Sequence, residues 1–267
     1  MNKPTSPHFH FAPPLLGDSP LKLKVLFEKE GLIALEKPPG LLACSSPCFP
    51  EYHSIEKALQ LKSAESKPSE PPSHPPFRSI FSIDPDYSAC ALFSNSAELI
   101  QYYRNAYGSN QFSFTFKLLV EANTLAETLE CSLPIFQDSS PAPASISHKY
   151  GKKAYTQFRR LESLSPHYQV WEAQSTYLRP YQIRLHAQAC GLRIVGEMLL
   201  DSVPLVCLSS LKRRAYKGLE KPLYPSIAIH LSSLQISQEE TILIPIPKPF
   251  QVMMDKICQH AQGGWPS

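Results

Sequence analysis

Proline constrains the fold of this chain more than any other residue type. The sequence contains 27 prolines in 267 residues, about twice the usual share of roughly 5%. Many of them lie in the segments 67–77 and 139–145. A helix does not tolerate such segments, because proline lacks the backbone N–H and clashes with the preceding turn. Both segments are predicted to be extended loops, and the chain is expected to fold from short elements between them.

The apolar pattern predicts more strands than helices. Segment 24–40 reads as a hairpin, because two short apolar runs flank a charged turn and Pro-Pro-Gly follows. Further strands are predicted for ACALFS, FSFTFKLLVEA, AYTQFRRLESL, YQVWEAQST, SIAIHLSSLQI and TILIPIP. Helices are predicted over 54–63, over 96–108 and at the end of PYQIRLHAQACG. Because strands and helices do not alternate regularly, the predicted class is α+β with a mostly antiparallel sheet.

Composition predicts a globular cytoplasmic protein. Hydrophobic residues make up 43% of the chain and charged residues 18%. No apolar run approaches the roughly 20 residues that span a bilayer, and the first residues lack the apolar core of a signal peptide. The seven cysteines have no metal-ligand spacing, so reduced thiols are expected.

Basic residues are concentrated rather than abundant. The net charge is only +3, but KYGKKAYTQFRR (149–160) and LKRRAYKGLEK (211–221) place lysine and arginine among tyrosines. Such runs can neutralise phosphates while their aromatic rings stack on bases. By themselves the two runs slightly favour the alternative that they are solvated faces.

Two short segments contain candidate catalytic residues. FSIDPDYSACALFS (81–94) places Asp84 and Asp86 around a proline, a pattern typical of a turn. A catalytic carboxylate would need a cationic neighbour to stay ionised inside a pocket. YLRPYQIRLHAQACG (177–191) offers Arg179, Arg184 and His186 within eight residues. The residues alone leave open whether these groups are catalytic or structural.

The order and spacing of six segments resemble the RluA family of RNA pseudouridine synthases. VLFEKEGLIALEKPPG carries the family's Lys-Pro-x-Gly turn, FSIDPDYSACALFS its aspartate motif, and FTFKLLVEA the strand that follows. GKKAYTQFRRLE, LRPYQIRLHAQACGLRIVGE and IAIHLSSLQI match the later motifs in the same order. The resemblance covers roughly residues 23–245. It implies a catalytic domain over 23–250, with an N-terminal tail or arm over 1–22 and a C-terminal tail over 251–267.

The resemblance implies an isomerase that converts uridine to pseudouridine in structured ribosomal or transfer RNA. Asp84 takes the position of the catalytic aspartate, and Arg184, or else Arg179, is expected to form an ion pair with it. The resemblance leaves open whether the aspartate attacks the ribose or the base, or acts as a base. The residues expected to bind substrate are Lys37, Phe116, Lys152, Arg179, Tyr181, Gln182 and His186. No metal or organic cofactor is implied, and a monomer without membrane association is expected.

Several positions depart from the family pattern. Phe81 and Ser82 replace a His-Arg pair, which leaves Arg78 as a nearby candidate for the missing arginine. Tyr87-Ser88-Ala89 replaces Thr-Ser-Gly, and Phe116 replaces the active-site tyrosine. These changes motivate an alternative function, a catalytically impaired RNA-binding protein on the same fold. A metal-dependent hydrolase that uses Asp84, Asp86 and His186 is disfavoured, because these residues lack a ligand spacing.

Overall fold

The computed structural model describes residues 7–65, 75–122, 124–138, 142–212 and 220–262. The strands are β1 (His8–Phe11), β2 (Leu21–Lys29), β3 (Leu32–Lys37), β4 (Leu41–Leu42), β5 (His53–Ser54), β6 (Arg78–Ser79), β7 (Ala89–Ser94), β8 (Ser113–Glu121), β9 (Thr128–Cys131), β10 (Ile135–Phe136), β11 (Ser145–Ile146), β12 (Thr156–Ser165), β13 (Tyr168–Ser175), β14 (Ile229–Gln235) and β15 (Thr241–Leu243). The helices are α1 (Ile55–Glu65), α2 (Ala97–Gly108), α3 (Gln182–Ala189), α4 (Leu208–Lys212) and α5 (Lys248–Gln262).

Two antiparallel sheets form the centre of the molecule. The larger has the order β15-β14-β8-β13-β12-β9, and the smaller has the order β1-β2-β3-β7-β6. Two short pairs, β4 with β5 and β10 with β11, lie outside them. The predicted class is therefore confirmed. The predicted hairpin over 24–40 corresponds to β2 and β3, which pair antiparallel.

The predicted helix over 96–108 corresponds to α2, whose first turn is capped by the Ser96 hydroxyl.

The two large sheets join at Ser88, immediately before β7. Its N–H donates to the carbonyl of Ile229, and its own carbonyl accepts from the N–H of Leu231 in β14. The side chains of Phe114, Phe116 and Leu118 alternate along β8 and enter the main core below this junction. The segment that precedes Ser88, with both aspartates, is thus fixed between the two sheets.

Both ends of the described chain pack onto the sheets. At the N-terminal end β1 pairs with β2, and Phe11 is buried, so residues 8–11 form a packing arm. At the other end α5 buries Phe250, Met253 and Ile257 in an apolar cluster with Tyr224. The predicted C-terminal tail over 251–267 is therefore wrong up to residue 262, because the apolar residues of α5 recur at helical spacing and cover this cluster.

Some predicted features fall on residues outside the described ranges. They include most of the proline-rich segment 67–77, residues 139–141 and most of the basic run 211–221. Within the described residues, no helix combines the length and the apolar character needed to cross a membrane.

Candidate active site

Three hydrogen bonds to backbone carbonyls hold the turn that carries Asp84. Tyr87 N–H donates to the Asp84 carbonyl (3.4 Å), and Gly40 N–H donates to the Pro85 carbonyl (3.0 Å). The Lys37 ammonium also donates to the Pro85 carbonyl, at 2.8 Å. Asp-Pro-Asp therefore does form a turn, as its composition predicts, and the turn presents one of its carboxylates to a cavity.

Asp84 is buried, with 6% of its surface exposed. Its two carboxylate oxygens accept the Tyr181 N–H at 3.1 and 3.0 Å. Tyr181 precedes α3 with a left-handed backbone (φ 58°), a conformation that is uncommon outside glycine and marks a constrained position. Burial raises the pKa of Asp84, although Tyr87, the Tyr181 N–H and the charge of Arg184 each lower it. Asp84 is thus a more basic carboxylate than one in water.

The predicted ion pair between Asp84 and Arg184 is not formed. The Arg184 guanidinium instead binds Glu197 through two hydrogen bonds of 2.5 and 2.7 Å. Its remaining nitrogen Nη1 donates to Asp86 at 3.0 Å. Arg184 acts on Asp84 only through its charge, because its fixed fork of donors is already occupied.

Glu197 is a residue of the site that the sequence analysis did not predict. Its side chain is buried, and besides Arg184 it accepts the N–H groups of Leu199 and Leu200. Burial lowers the pKa of Arg184, but its hydrogen bonds to Glu197, together with the charges of Tyr87, Glu197 and Asp84, leave that pKa raised. An acidic residue directly after Gly196, inside a recognised motif segment, was the signal that could have identified it.

Lys37 is not placed to bind a substrate. It is fully buried, and its ammonium donates to the carbonyls of Leu41 and Pro85. Burial lowers the pKa of Lys37 to about 7, against the opposing charges of Asp84 and Asp86. Lys37 ties the end of β3 to the aspartate turn, which corrects the prediction of a substrate contact.

Gln182 and His186 also have structural partners on the inner face of α3. The Gln182 amide donates to the Tyr155 carbonyl and the Ser175 hydroxyl, both at 2.9 Å. The His186 ring lies between the Thr156 hydroxyl and a backbone carbonyl, each at 2.9 Å. Burial lowers the pKa of His186. His186 is therefore not available to a substrate, whereas Gln182 is anchored and also lines the cavity.

The aromatic positions differ from the prediction. Phe116 is fully buried and contacts the Tyr87 ring edge-on, with centroids 6.0 Å apart. Phe116 does not line the cavity above Asp84, whereas Tyr87 does. The Tyr181 ring stacks on Phe49 (5.5 Å) and covers the Arg184 guanidinium (4.8 Å). Phe116 therefore supports the wall of the cavity rather than forming it.

Arg179 lies at the mouth of the cavity in a stack of planar groups. Its guanidinium is 4.5 Å from the Tyr177 ring centroid, and Tyr177 stacks on Tyr107 at 4.4 Å with 13° between the planes. Lys152 is exposed and pairs through its backbone with Ile135. Lys152 lines neither the cavity nor the groove beside it, so its predicted role in binding has no support in the geometry.

Neither Phe81, which takes a position of the family's His-Arg pair, nor Arg78, the nearby candidate arginine, lines the cavity. Phe81 packs into the aromatic core against Phe114, with ring centroids 5.1 Å apart. Arg78, which lies in β6, forms an ion pair with Glu56 (3.2 Å) and does not line the cavity. Arg78 is therefore poorly placed to substitute for the missing arginine, and Arg179 is the arginine that borders the cavity.

The cavity above Asp84 has a volume of about 240 Å³. It is lined by Ser46, Phe49, Ser82, Ile83, Asp84, Tyr87, Tyr107, Tyr177, Leu178, Arg179, Pro180, Gln182 and Ile183. A groove of about 790 Å³ shares Tyr177 and Arg179 with it. A second groove of about 850 Å³, on another side, shares Ser46 and Phe49. The arrangement suits a polymer that runs along the grooves and inserts one unit into the cavity.

The chain is similar in sequence and fold to RNA pseudouridine synthases. No protein-family model matches it. It is 24% identical over 251 residues to an uncharacterized RNA pseudouridine synthase of Synechocystis sp., which covers 89% of this chain and 77% of that protein. Human RNA pseudouridylate synthase domain containing 4 superimposes with a TM-score of 0.65 over 87% of this chain and 92% of that chain, at 13% identity. Human RNA pseudouridylate synthase domain containing 1 superimposes with a TM-score of 0.58 over 88% of this chain and 87% of that chain, at 16% identity.

These similarities confirm the predicted resemblance to pseudouridine synthases and the predicted fold. They do not establish the roles of individual residues, which are inferred from the geometry described above.

Proposed function

We propose that this chain, a homologue of an RNA pseudouridine synthase, is itself an RNA pseudouridine synthase of the RluA type with Asp84 as its catalytic residue. The observation that carries the proposal is the single carboxylate at the cavity wall, buried and held through both oxygens by the Tyr181 N–H. Asp86, two residues away, instead pairs with Arg184 and accepts from the Tyr52 hydroxyl. The turn therefore contains one reactive and one structural carboxylate.

The proposed reaction requires the uridine to leave its stack. The bond between sugar and base is inaccessible within a helix, so the nucleotide must be extruded into a pocket. The cavity of about 240 Å³ is below the roughly 300–1,000 Å³ of sites for drug-sized ligands, and it suits one nucleotide. In the isomerisation the bond from C1′ to N1 breaks and the bond from C1′ to C5 forms. The hydrogen of C5 is lost and N1 gains one, so neither oxidant nor cofactor is needed.

The substrate we propose is structured ribosomal or transfer RNA. The stack of Arg179 on Tyr177 lies where the cavity meets the larger groove, and Lys153 lines that groove. Cationic and aromatic groups together are typical of surfaces that hold unstacked nucleotides. All seven cysteines are free, which supports a cytoplasmic location.

The test is a pseudouridine map of ribosomal and transfer RNA from cells that lack the gene. The deletion is complemented with the wild type, with Asp84→Ala or with Asp255→Ala, which removes an exposed carboxylate of α5. We expect one or more sites to disappear, to return with the wild type and Asp255→Ala, and to stay absent with Asp84→Ala. A map that the deletion leaves unchanged contradicts the proposal and favours an RNA-binding protein without catalysis.

A further inference from the structure

Tyr87 has a hydroxyl group without a structural use. The residue is 2% exposed, and within the described part of the chain its hydroxyl oxygen has no hydrogen-bond partner. Buried hydroxyls nearly always have partners, because the lost contact with water is otherwise uncompensated. An unpartnered one beside a cavity therefore calls for a ligand-dependent explanation.

The hydroxyl lies beside the Asp84 carboxylate. Both residues line the cavity of about 240 Å³ and belong to one turn, which the hydrogen bond from Tyr87 N–H to the Asp84 carbonyl closes. The Tyr87 ring packs edge-on against Phe116, and this contact fixes the orientation of the ring. The hydroxyl is near enough to lower the pKa of Asp84, although its geometry falls short of a hydrogen bond.

The chemistry of the pair assigns the direction of donation. Burial and the nearby Asp84 raise the pKa of Tyr87 well above its usual value, so the phenol keeps its proton at neutral pH. A protonated phenol can donate, and the free carboxylate lone pairs of Asp84 can accept. A hydrogen bond to an ionised acceptor is also stronger than one between neutral groups.

We propose that Tyr87 is a positioning residue of this site: when a nucleotide fills the cavity, its hydroxyl donates to the Asp84 carboxylate and holds it ionised and oriented towards the sugar. The inference rests on the proposed catalytic role of Asp84.

Tyr87→Phe removes the hydroxyl and keeps the ring. The other groups that face Asp84 remain in place, namely Arg184, Asp86, Lys37 and the Tyr181 N–H. Without the hydroxyl the pKa of Asp84 rises further, so the acid limb of the kcat profile moves to higher pH. We expect kcat on the target RNA to fall about tenfold on the acid limb of the profile, as for loss of a hydrogen bond to a charged group, and to change less than twofold on the plateau at higher pH.

Tyr224→Phe is the matched control. Tyr224 is also buried, its hydroxyl is also unpartnered within the described ranges, and it packs on Phe250 outside the cavity. This variant should keep the wild-type pH profile. Thermal unfolding of both variants at or above the wild-type temperature establishes that the lost hydroxyls do not support the fold.

A second measurement does not depend on activity. The carboxyl carbons of ¹³C-aspartate-labelled protein are titrated by NMR, with the Asp84 signal assigned from Asp84→Asn. With uridine 5′-monophosphate present at saturating concentration, we expect the Asp84 titration to move to higher pH in Tyr87→Phe and to stay in place in Tyr224→Phe. An unchanged titration and an unchanged acid limb in Tyr87→Phe would overturn the inference. If the wild type forms no pseudouridine, the proposed function fails, and the titration still decides the contact.

Discussion

At the Asp84 carboxylate, burial and hydrogen bonding act in opposite directions. Burial raises its pKa, while the Tyr181 N–H and the charge of Arg184 lower it, and burial dominates. A buried carboxylate whose folded pKa exceeds its unfolded pKa destabilises the fold at every pH where it is ionised. Asp84 therefore costs stability, which is expected of a residue kept for reactivity rather than for packing.

Replacing Asp84 by asparagine should stabilise the protein while it abolishes activity. The amide keeps an oxygen acceptor for the Tyr181 N–H and removes the buried charge, so we expect the free energy of unfolding at pH 8 to rise by about 0.5–2 kcal/mol. The gain should shrink as the pH falls through the folded pKa of Asp84, because the wild-type carboxyl then also becomes neutral. Urea unfolding at several pH values measures it. A loss of stability at pH 8 would mean that the carboxylate is structural.

Among the elements, α3 does the most to assemble the site. Tyr181, immediately before the helix, supplies the N–H for Asp84, and the first turn holds Arg184 between Asp86 and Glu197. The polar residues of its inner face, Gln182 and His186, are satisfied by neighbouring strands. The helix is therefore fixed by polar contacts on the side that faces the sheets.

The sequence predicted these elements but not their contacts. Periodicity and turn residues are local properties, so the hairpin over 24–40 and the helix that starts after Ser96 could be predicted from the sequence. The partner of Arg184 could not be predicted, because the choice between Asp84 and Glu197 depends on how α3 is rotated against the turn. The burial of Lys37 depends likewise on packing between segments distant in sequence, since it binds Pro85.

The buried ion pair of Arg184 and Glu197 should contribute more to stability than the exposed ion pair of Arg159 and Glu172. Glu197→Gln leaves a buried guanidinium without its bidentate partner, so we expect the free energy of unfolding to fall by about 3–5 kcal/mol. The control is Glu172→Gln, which breaks a pair with Arg159, an arginine whose side chain is 60% exposed. This loss should be below about 1 kcal/mol. Equal losses in urea unfolding would contradict a structural role for the buried pair.

Over the whole molecule, the two grooves and the cavity between them define a path longer than one nucleotide. In the basic run 149–160, Lys153 lines the groove, while Arg159 and Arg160 pair with acidic residues. Arg179 borders the cavity and Arg184 is buried. Counting basic residues along the sequence therefore overestimates the number that can reach RNA, because ion pairs form between strands that the sequence does not place side by side.

Lys153 should therefore contribute to RNA affinity by neutralising a phosphate. For the binding of an unmodified transfer RNA transcript, the slope of log Kd against log salt concentration should decrease by about 0.7–0.9 in Lys153→Gln, the value for one lost phosphate contact. Lys248→Gln is the control, since Lys248 is exposed on α5 and lines neither groove nor cavity. The measurement is a fluorescence anisotropy titration at several salt concentrations. An unchanged slope in Lys153→Gln, or an equal change in Lys248→Gln, would mean that RNA does not follow this groove.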